Sequence, residues 1–294
     1  MSDLFLILDP SYVLRNALYG GILVGMVLPI VGGLMYVRQM VFLGVTLPTI
    51  SAAGIAMAIF WHATFHPDIH HSDFGLAFLG STLVTTGTLI GLAALERSGR
   101  GGVEGRIGVL YVLAGALTIL LLASDRIPEV GALRILQGQI IAISDRDLLL
   151  LAISFAVIVF VLWVFRKELL LISVDRDLAI SLGKKVWIWD LLLYGIVGMT
   201  ISLGVLIVGP LVTFGFLLIP PMVAMRLKVG IWIAPVIAAG VGILIAFFGF
   251  LVSYELDWPT GPTDILLGCL LFGFVSIIQW WIGRNRSPHS IKVP

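Results

Sequence analysis

IWDLLLYGIVGMTISLGVLIVGPLVTFGFLLIPPMVAM, residues 188–225, holds one charged side chain, Asp190, in 38 positions. An α-helix rises about 1.5 Å per residue, so about 20 apolar residues cross the ~30 Å hydrocarbon core of a bilayer. This run is nearly twice that long. Pro210 falls near the middle, and the run reads as two spans, 188–208 and 211–225. The second is short and bracketed by Pro210, Pro220 and Pro221. It is either a full span or a broken, re-entrant helix, tolerated only if buried against its neighbours.

Working outward from it, further apolar runs fall at about 12–37, 41–61, 74–95, 107–123, 148–165, 231–254 and 265–282. The expected fold is therefore all-α, a polytopic transmembrane helical bundle of about nine spans, eight if 211–225 is re-entrant. Composition agrees: 59% of the 294 residues are hydrophobic and 12% charged, where a soluble domain needs about 25%. Mean hydropathy is +1.10, too high for a chain that must cover its surface with polar groups. The net charge of +1 gives no pull toward nucleic acid. One cysteine, Cys269, excludes an internal disulfide framework. Loops are short, so residues 1–294 read as a single transmembrane domain.

Lysine and arginine orient the spans. With the N-terminus outside, the inner segments hold Arg38, Arg97, Arg100, Arg106, Arg166, Lys167, Arg176, Lys184, Lys185, Arg226, Lys228, Arg284, Arg286 and Lys292. Only Arg15, Arg126, Arg134 and Arg146 fall outside. Cytoplasmic loops concentrate basic residues, so the expectation is an outer N-terminus and a cytoplasmic C-terminus in the cell membrane. Trp187, Trp189, Trp232, Trp258, Trp280 and Trp281 cluster at span ends as interface anchors.

The membrane interior is poor in chemistry. Asp147, Asp190 and Asp264 sit at span starts, and Glu96 and Arg226 at span ends, with no ionisable group near a span's middle. A proton- or sodium-driven carrier normally buries one there. No G-x-x-x-x-G-K-[ST] loop is present to bind a nucleotide. If the chain takes part in active transport, its energy comes from another subunit.

One inner loop is shaped to receive that energy. SVDRDLAISLGKK, residues 173–185, reads as a short capped helix: Ser173 at its start, Asp175 and Asp177 in the first turn, and Gly183 as a left-handed stop. Leu178, Ala179 and Leu182 make a small apolar face. The plain reading is an interfacial loop helix; the sharper one is a coupling helix that docks in a groove of an ATPase.

Five stretches, in order, resemble the permeases of the metal-ion ABC importers, the family that takes up zinc, manganese and iron. VRQMVFLGVTLPTISAAG (37–54) is similar to R-x-M-x-L-x-G-D-A-L-S-H-A at Arg38, Met40, Gly44 and Leu47. LQGQIIAIS (136–144) resembles L-x-G-x-I-L-x-V-S, and residues 173–193 the coupling stretch with its Ala-x-x-Leu-Gly. VGPLVTFGFLLIPPMVA (208–224) resembles the long apolar motif at Val208, Gly209, Leu211, Val212, Leu217, Ile219 and Pro220. YELDWPTGPTDILL (254–267) carries the late D-x-P-x-G as Asp257, Pro259 and Gly261. The resemblance implies a permease that binds no cofactor itself. Its partners would be two cytoplasmic ABC ATPases carrying the ATP, an extracytoplasmic substrate-binding protein, a second permease copy and membrane lipid. It assigns Asp175, Asp177, Leu178, Ala179, Leu182 and Gly183 to ATPase coupling.

In that family the second span bears an aspartate and, four residues on, a histidine, available to metal in transit. Here those positions are Val45 and Thr49. Pro48 between them would free the Gly44 carbonyl, so Gly44, Pro48 and Thr49 remain as candidate pathway residues. Oxygen ligands of that kind suit a hard or hydrated ion better than zinc. Just beyond, WHATFHPDIHHSDF (61–74) gathers His62, His66, Asp68, His70, His71 and Asp73, four of the chain's five histidines. It reads as an entrance collecting divalent metal, or as a polar loop that binds nothing. Thr82, Thr85, Thr86 and Thr88 enrich the third span in hydroxyls, expected to bond within their own helix or between helices. Two alternatives to the importer stand beside it, an ATP-independent channel or carrier and a permease-derived scaffold that transports nothing.

Overall fold

The structure, a computed structural model, describes residues 15–65, 74–97, 103–124 and 144–285. Among these residues it is helical throughout, in ten helices: α1 Arg15–Val37, α2 Val41–Phe65, α3 Phe74–Arg97, α4 Val103–Leu122, α5 Asp145–Val164, α6 Arg166–Val174, α7 Arg176–Ser181, α8 Val186–Arg226, α9 Ala234–Leu256 and α10 Thr260–Asn285. Eight of them, all but α6 and α7, are long and apolar enough to cross a membrane.

The stretch that decided the reading forms α8, 41 residues long. A straight helix of that length would span about 61 Å, twice the hydrocarbon core. It is not straight. Gly209 takes φ 83° and ψ 168°, a conformation reserved for glycine, and Pro210 opens the next helical turn, where its missing N–H is harmless. The chain folds back there: a Cβ on Gly204 would lie 3.0 Å from the side chain of Thr213, nine residues on. Along one helix that separation is about 13.5 Å. The predicted spans 188–208 and 211–225 are thus two antiparallel arms meeting at a turn. Val208 and Val212, either side of the turn, are each 3% exposed, while Leu211 between them is 60% exposed.

The arms sort the bundle's two faces. Arg38, just past the end of α1, meets Asp190 in the first arm. Val37 and Met225, near the end of the second arm, line one cleft with Ala234, the first residue of α9. The opposite face carries Arg15, which meets Asp145 at the start of α5. The described chain therefore runs through the bundle nine times, and the start of α1 and the end of α10 lie on opposite faces.

At the centre, α8 packs on α1 and α2 through Leu28, Leu47, Ile201, Leu203, Ile207 and Phe216, all 1% exposed or less. Apolar burial drives this less inside lipid than in water, so close packing and hydrogen bonds between helices matter more. Both occur. A Cβ on Gly25 would sit 2.6 Å from the Gly242 carbonyl oxygen, so α1 and α9 touch backbone to backbone. Ser51 of α2 and Ser81 of α3 share a buried 2.6 Å hydrogen bond. The outer surface is apolar, with Leu83, Leu120 and Val236 about 70% exposed. Soluble monomers do not carry apolar surface on that scale.

Candidate functional site

Between α5 and α8 the chain builds a compact helical corner. Phe165 closes α5 and opens α6 with no intervening linker. Asp175 then turns extended (φ −142°, ψ 98°) and its side chain accepts the Leu178 N–H at 2.9 Å, capping α7. The sequence reading placed Ser173 in that role. Ser173 is instead buried in the last turn of α6, donating to the Leu169 carbonyl at 2.6 Å, and Asp175 is the cap because it is the residue that leaves helical geometry. Gly183 stops α7 as read, at φ 72°. Lys184 N–H reaches the Ala179 carbonyl and Gly183 N–H the Ile180 carbonyl, the paired bonds of a Schellman stop.

The three apolar residues read as one face divide. Ala179 is fully buried against Ile172 and Val186, which fixes α7 to the bundle. Leu178 and Leu182, four residues apart on one side of α7, are 47% and 61% exposed and make an apolar, outward knob; Val174 and Ile180 are exposed as well. Asp177 lies in the first turn of α7, exposed.

Beneath this helix lies a feature that the sequence reading passed over as a mere span start. Asp190 of α8 is 6% exposed and uses both carboxylate oxygens on arginines. Oδ1 accepts from Arg38 Nη1 at 3.0 Å, and Oδ2 from Arg176 Nη2 at 2.9 Å. Arg38 also donates through Nε to Ser173 Oγ at 3.0 Å. One carboxylate so joins the turn after α1, the end of α6, the first residue of α7 and the first arm of α8. Two arginines against one carboxylate leave the cluster net positive. Only proximity in space reveals it, because Arg38 and Asp190 are 152 positions apart.

The candidate pathway residues occupy α2. Thr49 donates its hydroxyl proton to the Val45 carbonyl at 3.2 Å, within its own helix, which leaves the oxygen's lone pairs to accept. The freed Gly44 carbonyl belongs to a buried residue beside the Phe214 ring, and Gly44 helps line a small apolar cleft with Met35, Met40 and Leu217. Of the histidine cluster, His62 sits in the last turn of α2; His66, Asp68, His70, His71 and Asp73 lie outside the described residues. Among the hydroxyls of α3, Thr88 bonds back to the Val84 carbonyl at 2.7 Å. The hydroxyl oxygens of Thr82, Thr85 and Thr86 are buried and make no hydrogen bond among the described residues. Asp264, also read as a span start, is 3% exposed against Gly249 of α9.

Eight membrane-length helices, an apolar outer surface and a polar corner gathered at one end of the bundle define a multi-pass integral membrane protein. The model of the ABC 3 transport family matches residues 11–279, and the chain belongs to that family; it is a protein of the cell membrane. Among its relatives is the manganese transport system membrane protein MntC of Halalkalibacterium halodurans, 26% identical, the match covering 97% of this chain and 96% of that protein. Another is the manganese import system permease protein ScaB of Streptococcus parasanguinis, 26% identical over 97% and 96%. The fold is that of a chain in the PsaBC complex of Streptococcus pneumoniae solved with a Fab, with TM-score 0.81, 22% identity, and 93% and 94% of the two chains covered.

Proposed function

We propose that this chain is the permease subunit of an ABC importer whose substrate is a divalent metal ion. Manganese transport is named for two of the relatives above, and zinc transport for another, from Treponema pallidum. The observation that carries the coupling half of the reading is α7: a helix pinned by buried Ala179 yet presenting Leu178 and Leu182 outward. Such a knob suits the groove of a soluble ATPase, which holds the ATP; the chain itself binds no cofactor. Basic residues on the same face, Arg38, Arg166, Lys167, Lys184, Lys185 and Lys228, support its being cytoplasmic. A second permease copy would complete the pathway and an extracytoplasmic binding protein would deliver the ion.

The test has two arms. The ATPase made with this chain co-purifies with it, and Leu182→Asp, which puts a charge at the centre of the knob, abolishes co-purification while the melting temperature stays unchanged. Proteoliposomes holding the complete assembly take up radioactive manganese only when ATP is supplied. Retention of the ATPase by the Leu182→Asp protein would sink the docking assignment. Val45 and Thr49, standing where the family has an aspartate and a histidine, support a second reading, a scaffold descended from a permease, and ATP-dependent uptake by the wild type excludes it.

A further inference from the structure

The Arg38–Asp190–Arg176 cluster is unequal in a way that has mechanical content. Its inner half is closed: the Arg38 side chain is 9% exposed, that of Asp190 8%, and Ser173 holds the guanidinium's Nε. Its outer half is open: the Arg176 side chain is 48% exposed. A cavity of about 510 Å³ lies beside it, lined by Arg176, Asp190, Trp187 and Tyr194 together with Ile90 and Ala93 of α3. Arg176 therefore has room to swing off the carboxylate, while Arg38 does not.

Position sharpens the contrast. Arg176 is the first residue of α7, where a cation is disfavoured by the helix dipole, so the ion pair rather than local helix energetics accounts for an arginine there. Arg38 closes the turn between α1 and α2, with Gln39 at φ 58° forming its corner. Its Nη2 is buried and makes no hydrogen bond among the described residues, so it depends on Asp190 for compensation. Breaking the inner pair would leave a buried, unpaired charge, whereas the outer pair is half solvated and cheap to exchange.

We propose that Asp190 and Arg176 form a releasable clasp. Closed, it locks α7 to the ends of α1 and α8, so that a displacement of α7 moves both spans; open, α7 moves over a bundle still held by Arg38 and Asp190. Asp190 and Arg176 are positioning residues for transport, acting on the spans rather than on the ion. The inference rests on the ATPase-coupling reading of α7 and adds the element through which that coupling passes.

Asp190→Asn exposes the Arg38 charge and is liable to unfold the protein, so Arg176 is the residue to vary. Proteoliposomes with this chain, its ATPase and the binding protein are assayed for manganese taken up per ATP hydrolysed. Arg176→Gln is expected to lower that ratio by about 5-fold or more, the range of ordinary inter-site coupling. ATPase co-purification and melting temperature remain those of the wild type, and Arg176→Lys restores most of the ratio. A wild-type ratio in Arg176→Gln overturns the clasp alone. So does loss of the ATPase from Arg176→Gln, which would make Arg176 a docking residue. A wild-type chain that binds no ATPase overturns the importer reading, and the clasp falls with it.

Discussion

Gly209 shows how one residue can set a fold. Its φ of 83° is available to glycine and strained for any residue with a Cβ, and Pro210 directly after it forbids a continuous hydrogen-bond ladder. Gly209→Ala should lower stability by about 1–3 kcal/mol, the cost of holding a non-glycine residue in a sparsely populated backbone region. Thermal unfolding in detergent measures it. A melting temperature equal to the wild type's would show that the turn relaxes freely. The break was legible in the sequence at Pro210 because its cause is local: a proline acts on its own backbone. Asp190 was not, because its meaning comes from Arg38 and Arg176, and the first of these lies far away in the chain. The same holds for Asp264, whose burial against Gly249 depends on how α9 and α10 pack.

Among the helices, α7 is the least self-sufficient, with six residues, one cap and one buried side chain. Isolated helices that short do not persist in water, so its order is borrowed from Asp175, Gly183 and Ala179. Asp175→Ala removes the side chain that bonds the Leu178 N–H and should cost about 1 kcal/mol locally. Faster amide exchange confined to residues 176–183, with α8 unchanged, is the expected result; faster exchange spreading through α8 would mean that the cap supports the bundle as well. The helix and its stop could be read from SVDRDLAISLGKK because capping chemistry is short-range. The division of its apolar residues could not, since Ala179 turns inward only because Ile172 and Val186 are there to receive it. The cap itself was misplaced by two residues for a related reason. Ser173 and Asp175 are equally good cap types, and only the break in backbone geometry at Asp175 decides between them.

The nine traverses of the bundle turn orientation into a measurable claim. If α6 and α7 face the cytoplasm, Ser181→Cys in a Cys269→Ser background reacts with a membrane-impermeant maleimide only after cells are permeabilised. Labelling of intact cells would reverse the assignment. Apolar length and Pro210 led to about nine traverses, with eight left open for a re-entrant 211–225. The pairing of elements was not, since nothing in apolar periodicity says that α8 takes the centre while α10, with 17% of its span buried, stays at the rim. Lipid-facing and core-facing helices are almost equally hydrophobic in a bilayer, so the contrast that reveals buried faces in soluble proteins is missing.

The fold-back at Gly209 also bears on how the chain is built into its membrane. Residues 191–225 carry no charged side chain, and the groups flanking them, Asp190 and Arg226, end on one face of the bundle. Driving a lysine, arginine or aspartate through the bilayer centre costs about 2.5–3.5 kcal/mol on the insertion scale, and the tip Val208-Gly209-Pro210-Leu211 incurs none of it. The two arms can therefore enter during synthesis as a preformed hairpin, tip first, with every ionised group left on the side from which they came.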